Sequence, residues 1–453
     1  MADAQQKFQH TFGGSDDGDY RDTWRIFKIM SEFVSGYQFL SNFTKAVTVF
    51  GSARTDEQSS HYKDAVKLGR MLSMAGYSTI TGGGPGIMEA ANKGACEGDG
   101  DSVGLNIQLP FEQRINPYVR KSIGFNYFFT RKVMLCAPAQ AYIFFPGGFG
   151  TLDEFFEVLD NVELNLIDRM PVILIGRDYW QPLYEFLCTN AVEKIHSLEK
   201  RDLKLIKIVN SVEEAFDIIK KTKKPKTCSV LSSENFYCNQ KINWRIFRIM
   251  AEIVEGFEFL TGTTKDVTIL GTKSIGPQSP YYKAAYDLGK RLAKDKYTVV
   301  TGGGSGIMEA ANKGAMLNGG ESVGLYTHSS DQGHVNQYMT KSKRFDFSYT
   351  RKLILTAPSK AFVLFPGGYG TMDQVFEVLT LIQTGKMEDV PIVLYGKEFW
   401  KPLLEYLQHN TFEKHHAIKS YDLKLFDIVD SVDEVMKYIK RGSDSRKSIK
   451  NKK

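Results

Sequence analysis

The chain states one pattern twice, at a constant distance. Residues 80–95 read ITGGGPGIMEAANKGA, and residues 300–315 read VTGGGSGIMEAANKGA. A second pair follows, PGGFGTLDEFFEV over 146–158 and PGGYGTMDQVFEV over 366–378. The offset is 220 in both pairs, and again between Trp24 and Trp244, Arg131 and Arg351, and Trp180 and Trp400. A register that holds over so many residues marks a duplicated domain. One chemical change separates the copies at the second motif: Glu154 in copy one is Gln374 in copy two. The amide keeps the shape of the carboxylate and loses its charge.

A chain of 453 residues accommodates two domains of about 200 residues, each long enough to bury a core. The expected divisions are a flexible N-terminus over 1–22, a first domain over 23–220 and a polar linker over 221–240. A second domain over 241–440 and a basic tail over 441–453 follow. No apolar run reaches the roughly 18 residues that cross a bilayer, so no membrane partner is expected. The N-terminus lacks the apolar core of a signal peptide. The five cysteines, Cys96, Cys136, Cys188, Cys228 and Cys238, form no metal-type cluster. They read as reduced thiols of a cytoplasmic protein. The net charge of +6 is mild, and much of the excess sits in KKTKKPK at 220–226 and RKSIKNKK at 446–453. Neither run carries aromatics, so both read as solvated segments, and a nucleic-acid partner is not expected.

Each copy alternates short apolar runs with helical patterns. In copy one, strands are expected over 47–51, 78–81, 102–107, 141–145 and 172–175. Helices are expected over 61–75, 87–97, 131–137 and 152–164. Runs that stay apolar without alternation are the mark of strands buried on both faces. Copy two repeats the pattern over 267–394, and a helix precedes each copy, at 24–39 and 244–259. The expected fold is α/β: two tandem Rossmann-like, doubly wound parallel-sheet domains packed as a pseudo-dimer.

Two glycine-rich turns stand where ligands bind in such folds, at the carboxyl ends of strands. The first holds Gly82, Gly83, Gly84 and Gly86 with Met88; the second holds Gly147, Gly148, Gly150 and Thr151. Glycines let backbone N–H groups approach an anion, and a helix N-terminus adds partial positive charge. Each turn could also need glycine for its dihedrals alone. The spacing is not G-x-G-x-x-G, so a dinucleotide is not indicated and no cofactor is expected. Two such turns in one domain point to a phosphorylated ligand. Arg131 and Lys132, at an expected helix start, are candidate phosphate ligands; a solvated helix start is the alternative. Thr151 and Glu154 fit a capping box, which Gln374 would serve equally well. A catalytic carboxylate would instead leave only copy one active. The residues alone leave both readings open.

The combination of GGGxxGxM at 82–88, Arg131-Lys132, and PGGxGTxxE at 146–154 resembles the LOG ("Lonely Guy") family, some of whose members were once labelled possible lysine decarboxylases. The resemblance covers most of both copies. It implies a Rossmann-like fold, usually dimeric, that cleaves the N-glycosidic bond of a nucleoside 5′-monophosphate to free base and ribose 5-phosphate. The nucleotide would be AMP-like or of cytokinin type. It implies Arg131 and Glu154 as catalytic residues, and Ser52, Arg54, Gly83, Gly84, Gly86, Met88, Lys132, Gly147, Gly148, Gly150 and Thr151 as substrate-binding residues, with no metal. Residues 103–110 with Asn116-Pro117-Tyr118 look like the larger, bacterial-type members.

Copy two keeps Arg351, Gly367, Gly368, Gly370 and Thr371 but carries Gln374. Its counterpart of Ser52 to Arg54 is Thr272-Lys273-Ser274, and LPFE at 109–112 becomes SSDQ at 329–332. It therefore reads as a degenerate copy. The partners expected are the nucleotide and, within one chain, the other copy, with a homo-oligomer left open. The alternative function is a nucleotide-binding sensor or scaffold with little turnover.

Overall fold

A computed structural model describes residues 19–43, 45–108, 115–222, 236–263, 265–327 and 335–442, with side chains in the two leading helices from Trp24 and Ile246 onward. The basic tail at 446–453, most of the run at 220–226, and residues 109–112 and 329–332 lie outside the described residues.

Copy one begins with α1 (Asp19–Leu40) and continues β1 (Ala46–Phe50), α2 (Ser60–Met74), β2 (Ser78–Thr81), α3 (Ile87–Glu97), β3 (Ser102–Ile107), β4 (Lys121–Phe125), α4 (Phe128–Cys136), β5 (Ala139–Phe144), α5 (Phe149–Glu163), β6 (Val172–Ile175), α6 (Arg177–Phe186), β7 (Ile206–Val209) and α7 (Val212–Lys221). Its seven strands pair in the order β4-β3-β2-β1-β5-β6-β7, all parallel. Copy two repeats this with α8 (Phe236–Phe259), β8 (Asp266–Leu270), α9 (Pro280–Lys294), β9 (Thr298–Thr301), α10 (Ile307–Met316), β10 (Ser322–Thr327), β11 (Lys341–Phe345), α11 (Ser348–Thr356), β12 (Ala361–Leu364), α12 (Tyr369–Gln383), β13 (Ile392–Tyr395), α13 (Lys397–Tyr406), β14 (Asp427–Val429) and α14 (Val432–Arg441). The doubly wound, tandem α/β reading holds.

The expected strands match to within two residues, because central strands such as Val172–Ile175 are buried along their whole length. Two edge strands were not expected. In Lys121–Phe125 only the last residue is buried, and in Ile206–Val209 only the two ends are. An edge strand lacks the continuous apolar run that marks a central one. Helix α8 begins at Phe236, inside the stretch read as linker.

Helix α5 lies against α12, and α1 against α8. Phe156 stacks on Phe376 with centroids 5.4 Å apart and planes 2° from parallel. Phe33 of α1 meets Tyr349 of α11 at 5.8 Å. One apolar cluster takes in residues of both copies, including Phe156, Trp180, Phe376 and Trp400. Among the described residues no helix is long and apolar enough to cross a membrane.

Candidate active site

The site of copy one forms where the winding of the sheet reverses. Strand β1 lies between β2 and β5, and the connections leaving β1 and β5 run to opposite sides, which opens a crevice at their carboxyl ends. Ser52, just past β1, ties the surrounding loops together. Its N–H donates to Pro146 O, and its carbonyl accepts from Ile87 N–H, both at 3.1 Å. Its hydroxyl accepts from Arg54 N–H at 3.1 Å. The Arg54 side chain is exposed.

The first glycine turn is a structural necessity. Gly83 and Gly86 have φ of +69° and +68°, where a Cβ is strained. Thr81 Oγ1 accepts from Gly83 N–H at 2.9 Å and donates to Asn92 Oδ1 at 2.6 Å. Asn116 Nδ2 donates to Gly84 O and to Asn92 Oδ1, each at 3.0 Å. Asn92 was not singled out from the sequence as a site residue, nor Asn116 beyond its place in the family pattern. The signal was present, because both recur 220 residues on as Asn312 and Asn336 with equivalent bonds.

Arg131 reaches this turn from α4. That helix begins at Phe128, so Arg131 is its fourth residue rather than its first. Its Nε donates to Leu105 O at 2.8 Å. A Cβ on Gly82 would collide with its Nη2, and would stand 2.8 Å from Met88 Sδ. Gly82→Ala is therefore expected to push the guanidinium off the turn. Turnover should fall by about 10²-fold, the scale of a roughly 1 Å displacement. Comparison of kcat/KM and thermal melting for the two proteins checks this.

At the second turn the capping-box reading fails. Gly148 is the N-cap of α5 and no side chain caps it. Thr151 is the third helical residue, with its hydroxyl packed over Gly147, where a Cβ would clash. Glu154 is the sixth, beyond the unpaired N–H groups of the first turn. It is 7% exposed, and among the described residues its Oε2 has no hydrogen-bond partner. Burial pushes its carboxyl up to about 7, against the pull of Arg131. Arg131 in turn is lowered by burial, with Glu154 the strongest charge opposing this.

Lys132, expected beside Arg131 as a phosphate ligand, is committed elsewhere. It is 2% exposed, and its Nζ lies 2.8 Å from Asp153, 3.3 Å from Glu157 and 3.9 Å from Glu377 of copy two. Three carboxylates hold it in the junction between the copies. Consecutive residues of a helix point about 100° apart, so Arg131 and Lys132 face different surroundings.

Copy two reproduces the scaffold. Gly303 and Gly306 have φ of +70° and +67°. Gly302 faces Arg351 Nη1, Thr371 covers Gly367, and Gly368 caps α12. Gln374 donates Nε2 to Glu377 at 2.8 Å, and its Oε1 is buried without a partner among the described residues. The second turns also face the opposite copy: a Cβ on Gly148 would stand 2.7 Å from Ala417 O, and one on Gly368 2.9 Å from Ser197 O.

A family model described as "possible lysine decarboxylase" matches residues 88–219 and 308–439, together more than half of the chain. A cytokinin riboside 5′-monophosphate phosphoribohydrolase of Rhodococcoides fascians is 30% identical over 156 residues, which is 33% of this chain and 78% of that protein. A probable enzyme of the same name from Oryza sativa subsp. japonica is 29% identical over 34% of this chain, which spans 63% of the rice protein's length. Among solved structures, the molybdenum cofactor carrier protein of Chlamydomonas reinhardtii is 21% identical over 39% of this chain and 97% of its own, at a TM-score of 0.30, too slight a likeness to argue from. The paired matches, the two sheets and the two sets of glycine turns agree: the chain belongs to the LOG family, described by its model as possible lysine decarboxylase, and carries that family's domain twice.

Proposed function

We propose that copy one hydrolyses the N-glycosidic bond of a nucleoside 5′-monophosphate to free base and ribose 5-phosphate. The observation that carries this is Glu154, a buried carboxylate whose Oε2 has no hydrogen-bond partner among the described residues, set on the helix that the second glycine turn opens and within the electrostatic reach of Arg131. The turn over Gly147, Gly148 and Gly150, with Thr151 and the start of α5, offers N–H groups and partial positive charge to the 5′-phosphate. Ser52 and the first turn close the crevice beside it. Cleavage of an N-glycoside passes through an oxocarbenium-like state. The Glu154 carboxylate stabilises that charge and orients the attacking water or the ribose hydroxyls. Arg131 contacts the phosphate or the departing base. Copy two, with Gln374, is the degenerate half, and contacts of α5 with α12 support a pseudo-dimer within the chain.

The test is incubation with a panel of nucleoside 5′-monophosphates and the matching nucleosides, with free base followed by chromatography. AMP or a cytokinin nucleotide should be cleaved far faster than its nucleoside, because the glycine turns bind only the phosphorylated form. Equal turnover of AMP and adenosine would remove the phosphate cradle. Tight nucleotide binding without release of base would favour the sensor reading.

The working form of Glu154 is ionised. Its pKa is raised by burial from 4.5 to about 7. Lowering the pH through 7 protonates it and removes the charge. The acid limb of kcat/KM, which reports the free protein, is therefore expected near pH 7, falling tenfold per unit below it, rather than near 4.5. A pH–rate profile measured between 5 and 9 decides.

A further inference from the structure

The two copies differ at the point where each touches the other's second glycine turn. Copy two presents Thr380 to copy one, with its γ-methyl 3.8 Å from the place of a Cβ on Gly150. Copy one presents Asp160 to copy two. Its Oδ1 lies 2.9 Å from the same point on Gly370, and its Oδ2 lies 3.7 Å from Lys352 Nζ. Asp160 is 6% exposed, so its carboxylate is held in the junction rather than in solvent. Gly370 is in the first turn of α12, one helical turn before Gln374 and on the same face. The Gln374 amide is bonded to Glu377, which leaves the Gly370 side to Asp160. Among the described residues Arg351 Nε is buried without a hydrogen-bond partner, and Asp160 is the strongest charge opposing its desolvation, ahead of Asp373. In copy one Glu154 stands in that relation to Arg131, and the neutral Thr380 faces the turn.

We propose that Asp160 is an internal anion, supplied across the copy junction, that holds the copy-two site shut against a nucleotide 5′-phosphate. The proposal rests on the nucleotide reading above. The features that would bind a phosphate in copy two are the opening turn of α12 and Arg351; the Asp160 carboxylate already lies at the first and acts through its charge on the second. An incoming phosphate would meet like charge in a buried setting, where screening by water is weak. Copy one is open for the complementary reason: threonine carries no charge. The substitution that disarms the chemistry of copy two, Gln374, and the one that excludes its ligand, Asp160, lie on different copies and act on one site.

The experiment counts binding sites on the full chain with ribose 5-phosphate, which cannot be turned over, by titration calorimetry and equilibrium dialysis. Wild type is expected to bind one per chain. Asp160→Asn, which keeps the side-chain shape, and Asp160→Thr, which places in copy one the residue copy two has at 380, are each expected to bind two. The second site should vanish when Arg351→Gln is added, and thermal melting reports whether each variant is folded. Two sites in wild type, or one site in both folded variants, would overturn the proposal. So would slow base release by a Glu154→Gln chain that Asp160→Asn abolishes, because Asp160 would then serve copy two rather than shut it. Absence of binding to every protein, including wild type, together with no cleavage of AMP, would bring down the nucleotide reading and the proposal with it.

Discussion

Glu154→Gln should lower turnover by roughly 10²–10⁴-fold, the range for a positioned electrostatic or acid–base group, while the fold and nucleotide binding persist. The substitution writes into copy one what copy two already has at Gln374. It keeps side-chain volume and removes the charge that would face the oxocarbenium. The copy-two geometry shows where the new amide can go, since Gln374 donates to Glu377, and Glu157 occupies the equivalent place in copy one. The side chain is therefore expected to find a partner without rearrangement. Single-turnover release of base from AMP, with binding measured separately, distinguishes lost chemistry from lost affinity. Turnover within a few-fold of wild type would remove Glu154 from the mechanism.

Lys132→Met should cost about 3–5 kcal/mol of stability, the penalty for removing one partner of a buried ion pair. Lys132 lies between Asp153, Glu157 and, across the junction, Glu377. Burial opposes its charge, and the neighbouring acids, Asp153 first among them, together more than restore it, so its pKa stands well above the ordinary lysine value. Methionine matches the stem but takes from Asp153 its ion-pair partner and leaves Glu157 and Glu377 only the charge of Lys352. Asp153 is itself raised well above its usual range by burial, and without the ammonium it would protonate or draw in water. Denaturant unfolding at neutral pH measures the loss. A change under 1 kcal/mol would mean that the junction is wet and the pair screened.

The sequence by itself determined the duplication, the doubly wound class, the central strands and the two glycine turns. These are legible because they depend on local rules: strands buried on both faces read as unbroken apolar runs, and a turn that needs positive φ at Gly83 and Gly86 writes glycine into the chain. Glu154 was legible as a candidate, though not as a carboxylate rather than a cap. The helix start at Gly148, one residue before Phe149, decided that, and the boundary depends on how the turn packs over Gly147. The edge strands Lys121–Phe125 and Ile206–Val209 escaped because an edge strand is buried too little to mark its residues.

Lys132 and Asp160 could be placed only by the tertiary structure. Adjacent in sequence to Arg131, Lys132 reads as a second phosphate ligand, yet α4 turns it about 100° away, into carboxylates drawn from both copies. Asp160 reads as one more acidic residue on a helix. Its meaning comes from Gly370 and Lys352, about 200 residues away in the chain and in contact only because α5 lies against α12. Local patterns record what a residue does to its own backbone. What a buried charge does is set by the other charges that packing brings within a few ångströms, and no periodicity in the sequence records that distance.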